Sequence, residues 1–61
     1  MNNPIISVVG LGKMGLGIYK RLCHENIILY GYDKNFKIIK NNTYVNFLEI
    51  EKLVELSDLV L

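Results

Sequence analysis

Ten residues, VVGLGKMGLG from Val8 to Gly17, carry four glycines and one charged side chain and follow directly on an apolar run. Glycine loses more backbone freedom on folding than any other residue, so this density needs a structural reason. The run before it, Ile5 to Val9, is β-branched and nearly all apolar, the pattern of a central parallel strand covered on both faces. Ser7 is small enough to be accommodated there. From Met14 the period becomes four: Met14, Ile18 and Leu22 extend a stripe that begins at Leu11, while Lys13, Lys20, Arg21 and Glu25 fall off it. This spacing predicts a helix to about His24, with Asn26 as a left-handed stop. IILYGY, Ile27 to Tyr32, reads as a second strand that ends at Asp33. Strand, glycine turn, helix and strand form a βαβ unit, whose crossover is right-handed and whose strands are parallel.

Beyond Asp33 the pattern loosens. KNFKIIKNN, with Phe36, Ile38 and Ile39 as apolar anchors, predicts a short helix, and TYVNF a short strand. Asn46 and Glu49 have capping-box spacing ahead of a helix whose apolar face is Leu48, Leu53, Val54 and Leu56. Leu59 to Leu61 read as the start of a further strand, so SDLVL stops inside an element; the expectation is a truncated chain. No repeat or linker divides residues 1–61, which read as one portion of a single domain.

Gly10, Gly12 and Gly15 fit G-x-G-x-x-G, and each position has a task in a strand-to-helix turn. The first allows the turn, the second lets backbone approach a pyrophosphate, and the third lets helix and strand pack closely. The unpaired amides and positive dipole end of the helix then face the phosphates. An isolated glycine pattern is weak, but here it follows a strand, opens a helix and precedes a second strand ending in an acid. Asp33 lies 18 positions after Gly15, close to the roughly 20 expected of an acid that receives ribose hydroxyls. A carboxylate there repels a 2'-phosphate, so NAD is expected over NADP. Lys34 beside it works against that preference or stands solvated in the loop. The fold class is α/β: the N-terminal part of a Rossmann-type parallel sheet, a βαβ unit plus a short following helix and strand. The candidate cofactor-binding residues are Gly10, Leu11, Gly12, Lys13, Met14, Gly15, Asp33, Lys34 and Asn35.

Other chemistries find little support. A P-loop is not the reading, because no Ser or Thr follows Lys13 at the required spacing. Seven basic and six acidic residues give a net charge of +1, far from the basic face of a nucleic-acid domain, and the tyrosines do not alternate with basic residues on one face. Tyr19, Tyr30, Tyr32 and Tyr44 are therefore expected in packing. Cys23 is the single cysteine, which excludes an internal disulfide and a CxxC metal pair and points to a reducing compartment. It reads as a small, at least half-buried hydrophobe, and His24 as a solvent-facing residue near a helix end. No signal sequence and no run near the ~20 apolar residues of a membrane span are present. The location expected is cytoplasmic, without nucleic-acid or membrane partners and without a metal site.

VVGLGKMGLGIYKRLCHENIILYGYDKN, Val8 to Asn35, resembles the N-terminus of the 6-phosphogluconate dehydrogenase and 3-hydroxyisobutyrate dehydrogenase superfamily. The features that carry the resemblance are the methionine in GLGKMG, the Arg21-Leu22 pair and GYDKN closing the second strand. Among the branches it is most similar to NAD-preferring 6-phosphogluconate dehydrogenase. The match is close over less than half of the chain and looser through LEIEKLVELSDLVL. Ile18, Tyr19, Glu25 and Asn26 depart from the family pattern at the helix and its exit. The resemblance implies that Gly10 to Gly15 hold the pyrophosphate and Asp33 to Asn35 the adenosine ribose. It implies an NAD-dependent oxidoreductase of a hydroxyacid, with 6-phosphogluconate the first expectation and 3-hydroxyisobutyrate or a similar β-hydroxyacid the alternative. A homo-oligomer is expected of such a protein at full length. The family's substrate loop and catalytic lysine match no position in these 61 residues, so no catalytic residue is assigned and this chain alone is not expected to be active. A nucleotide-binding module without catalysis is the reading from a different class.

Overall fold

A computed structural model describes residues 3–61 of the chain. The elements run β1 (Ile5–Val9), α1 (Lys13–Leu22), β2 (Ile28–Tyr32), α2 (Phe36–Asn41), α3 (Ile50–Leu56) and β3 (Leu59–Val60). Both strand pairs are parallel, in the order β2-β1-β3, with Val8 opposite Gly31, Val9 opposite Tyr32 and Ser7 opposite both Tyr30 and Val60. The apolar run therefore forms the central strand. A parallel bridge between Gly31 and Phe47 lies on the free edge of β2. The architecture is a small α/β fold compatible with a Rossmann-type half-fold.

Strand alternation divides the packing between two faces. On the face of Val8, α1 lies over the sheet, and Val8, Leu11, Tyr19, Leu29, Ile39 and Val45 form one buried cluster. On the face of Ser7, the end of α3 approaches: the buried Ser7 hydroxyl meets that of Ser57, which donates to the Leu53 carbonyl. Asp58 ties α3 to the start of β1, since its N–H donates to Ile5 O at 2.8 Å and its Oδ2 accepts from Ile5 N–H at 2.7 Å. Among the described residues no buried side-chain nitrogen or oxygen lacks a partner.

Several expectations are corrected. Helix α1 ends at Leu22 with Cys23 as its C-cap, short of His24. Its inner side is Tyr19, which is buried, with Gly15, Leu16 and Leu22 half-buried beside it; of the expected Met14, Ile18 and Leu22, Met14 is 81% exposed and Ile18 lies at the surface. The cause is Gly15, whose side facing the turn is so close to Gly10 O that an added Cβ would lie 1.8 Å from it. That contact sets the rotation of the helix and leaves Tyr19 over the sheet. Asn26 does not adopt a left-handed conformation; among the described residues no non-glycine has positive φ. Cys23 is exposed rather than half-buried.

TYVNF forms a single bridge rather than a strand. Asn46 N–H donates to the Tyr19 hydroxyl at 2.8 Å and Val45 N–H to Asn42 O at 3.0 Å, so these two amides are withdrawn from any ladder. Nor does Asn46 open a capping box. Its side chain donates to Leu29 O at 3.1 Å, Leu48 N–H pairs with Gly31 O, and α3 begins only at Ile50, with Glu49 as an N-cap that makes no side-chain bond. Of the apolar face expected there, Leu53 is buried and Leu48 half-buried, while Val54 and Leu56 are exposed.

Candidate functional site

The C-terminal ends of the two longer strands and the turn between β1 and α1 make the site. Gly10 takes φ +89°, a conformation open to glycine and costly for any residue with a Cβ. Its N–H donates to Tyr32 O at 2.8 Å, so the chain leaves β1 still tied to the end of β2. Leu11 then turns its side chain into the core, where it is fully buried. Gly12 is the N-cap of α1 and offers no side-chain cap; a Cβ built on it meets nothing within 4 Å. Gly15, in the first turn of the helix, is held against Gly10 O.

Two of the three glycines answer demands of the fold, an unusual φ at Gly10 and the close approach of helix to turn at Gly15, whereas Gly12 faces open space. The first turn of α1 contains no acidic residue, and its leading N–H groups have no carbonyl within the helix to bond. Positive dipole character accumulates there. Lys13 and Met14, both exposed, flank this end.

Asp33 follows β2 directly and aims its carboxylate at the glycine turn. Oδ2 accepts from Leu11 N–H at 2.7 Å and Oδ1 from Asn35 N–H at 2.7 Å. A carboxylate has about four lone-pair sites, so each oxygen keeps acceptor capacity for a hydroxyl. Asn35 caps α2, its Oδ1 accepting from Lys37 N–H at 3.1 Å. Next to the carboxylate is an open cleft of about 210 Å³ lined by Val9, Gly10, Tyr32, Asp33 and Lys34. That is below the roughly 300–1,000 Å³ of a pocket that encloses a whole drug-sized ligand and fits one portion of a larger, extended one.

Of the nine residues expected from the sequence, the cleft brings together Gly10, Asp33 and Lys34. Gly12, Lys13, Met14 and Gly15 lie at the adjoining helix start. Leu11 and Asn35 are committed elsewhere: the Leu11 amide bonds Asp33 and its side chain is core, and the Asn35 side chain caps α2. Val9 and Tyr32 are lining residues that the sequence reading missed. They are opposite each other at the ends of adjacent parallel strands, and Tyr32 is further braced by Phe47, ring centroids 5.9 Å apart. No helix among the described residues is long and apolar enough to cross a membrane, and no cluster of three metal-ligating side chains occurs among them. No family model matches the chain, and no curated protein or solved structure matches it.

Proposed function

We propose that the chain binds a dinucleotide in the manner of a Rossmann half-domain, with the diphosphate at the glycine turn, the adenosine ribose at Asp33, and NAD preferred to NADP. The observation that carries this reading is the division of tasks among Gly10, Gly12 and Gly15, above all the open space before Gly12 at an uncapped helix start. An ordinary tight turn needs the first glycine and has no use for the second. Asp33 supports the same reading, being within 2.7 Å of the turn's backbone and retaining acceptor capacity on both oxygens. Its charge disfavours a 2'-phosphate; Lys34 on the same cleft is the counterweight.

For the protein as a whole, the resemblance supports an NAD-dependent oxidoreductase that oxidises a hydroxyacid, 6-phosphogluconate with decarboxylation in first place and a 3-hydroxyisobutyrate-like acid in second. The chain's part in that reaction is to hold the cofactor. The rival reading is a nucleotide-binding module without catalysis, since the groups that the cleft offers, Asp33 and Lys34, are binding groups and neither reading places a catalytic residue there. Turnover of either hydroxyacid by the full-length protein supports the enzyme, and nucleotide binding without turnover supports the module.

Calorimetric titration of NAD and NADP into the full-length protein tests the binding itself. NAD binds more tightly than NADP, and Gly12→Val, which places two methyl groups in the open space, removes tight binding. Unchanged affinity in that variant overturns the diphosphate role.

A further inference from the structure

The carboxylate that the proposal gives to a sugar is engaged without one. Asp33 Oδ2 reaches 22 residues back along the chain to Leu11 N–H, and Oδ1 takes Asn35 N–H. The preceding amide, Gly10 N–H, is held by Tyr32 O. Two consecutive amides of the glycine turn are therefore anchored on the end of β2, one by main chain and one by the acid. Leu11 is fixed a second time through its fully buried side chain. What leaves this clamp free is Gly12 and the first turn of α1.

We propose that Asp33 is a positioning residue for the glycine turn as well as a receptor for sugar hydroxyls, so that one side chain holds the diphosphate site in shape and reads the ribose. The proposal rests on the nucleotide reading above. Hydrogen bonds to an ionised acceptor are the stronger kind, and fixing a turn in its bound shape removes an ordering cost from binding. Charge alone argues the other way. A carboxylate repels a nearby diphosphate, so a purely electrostatic Asp33 would weaken the binding of any diphosphate nucleotide lacking ribose hydroxyls, and its removal would tighten that binding. Positioning gives the opposite sign.

The decisive probe is an adenosine diphosphate lacking both the 2'- and 3'-hydroxyls, titrated beside ordinary ADP into the unaltered chain and into Asp33→Ala. Asp33→Ala weakens the dideoxy nucleotide roughly tenfold, the scale of one charged hydrogen bond, and weakens ADP further. Equal or tighter binding of the dideoxy nucleotide by the variant overturns the proposal. Amide hydrogen exchange without nucleotide gives a separate readout: in Asp33→Ala the Leu11 and Asn35 amides exchange faster while those of Val8 and Leu29 stay protected, and an unchanged Leu11 rate overturns the clamp. If the unaltered chain binds neither nucleotide, the nucleotide reading falls, and Leu11 exchange decides the clamp by itself. If Asp33→Ala does not fold, a scalar coupling across the hydrogen bond, from the Leu11 nitrogen to the Asp33 carboxyl carbon of the unaltered chain, decides it; presence supports the clamp and absence overturns it.

Discussion

The two faces of the sheet are finished to different degrees. Beneath α1, Val8 and Tyr19 are 2% exposed and Leu11 is 0%. On the opposite face Ser7 and Leu53 are 0% exposed, yet Val9 and Ile28 are 39% and Val60 42% exposed. The first face is closed by a strand, its helix and the next strand, with Ile39 of α2 and Val45 completing the cluster. The second is covered only where the end of α3 reaches it, and the cleft walled by Val9 and Tyr32 opens on its uncovered part. Cohesion is concentrated on one side of the sheet and accessibility on the other.

Four substitutions, and Val54→Ala as a control, sharpen or break this contrast. Gly15→Val should have the largest effect: a Cβ 1.8 Å from Gly10 O has backbone against it and cannot be accommodated by a rotamer change. A loss of about 3 kcal/mol or more is expected, visible as loss of a cooperative thermal transition in circular dichroism; an unaltered transition would break the account of the α1 face. Leu53→Ala asks whether the opposite face contributes at all. Its side chain is fully buried, so about 2–5 kcal/mol should be lost in urea titration, whereas Val54→Ala on the exposed side of the same helix should be nearly silent.

Tyr19→Phe is expected to cost about 1–2 kcal/mol, because Asn46 N–H loses its acceptor under α1. Burial also pushes the Tyr19 phenol above its ordinary value of 10.0, with the Asn46 bond pulling the other way. The folded phenol thus holds its proton more tightly than the unfolded one. Its contribution is complete below about pH 10 and declines as pH rises beyond that. Denaturant titrations across alkaline pH should show a steeper fall for the unaltered chain than for Tyr19→Phe; parallel curves would contradict the burial. The smallest effect is a gain. Gly17 meets nothing within 4 Å, so Gly17→Ala should stabilise α1 by up to about 1 kcal/mol, read as a higher melting temperature.

What could be read from the residues was what depends on local period. The β1–α1–β2 unit followed from the apolar run, the change of spacing at Met14 and the glycines between, and Gly10, Gly12, Gly15 and Asp33 were visible for the same reason. Tyr19 was expected in packing and is buried, but Met14 and Ile18 were misplaced on the inner stripe, because the rotation of α1 follows the backbone contact between Gly15 and Gly10, which no spacing rule contains. Asn46 was misread as a cap because its partners, the Leu29 carbonyl and the Tyr19 hydroxyl, are 17 and 27 residues away. Val9 and Tyr32 enter the site only through the register that sets them opposite each other. Asp33 was legible as an acid at the right distance, but its bonds to Leu11 and Asn35 required the turn to be built first.

The placement of β1 between its two partners bears on the order in which a nascent chain acquires structure. One edge of β1 pairs with residues 28–32 and the other with residues 59–60. During synthesis the β1–α1–β2 unit can begin to collapse once Tyr32 has left the ribosome, since its two parallel strands are joined through a single helix. The bonds that join Asp58 and Leu61 to Ile5, Ser7 and Val9 must wait until residues 58–61 have emerged as well. β1 thus precedes both of its partners in the chain and has its second edge satisfied only when the later of them arrives.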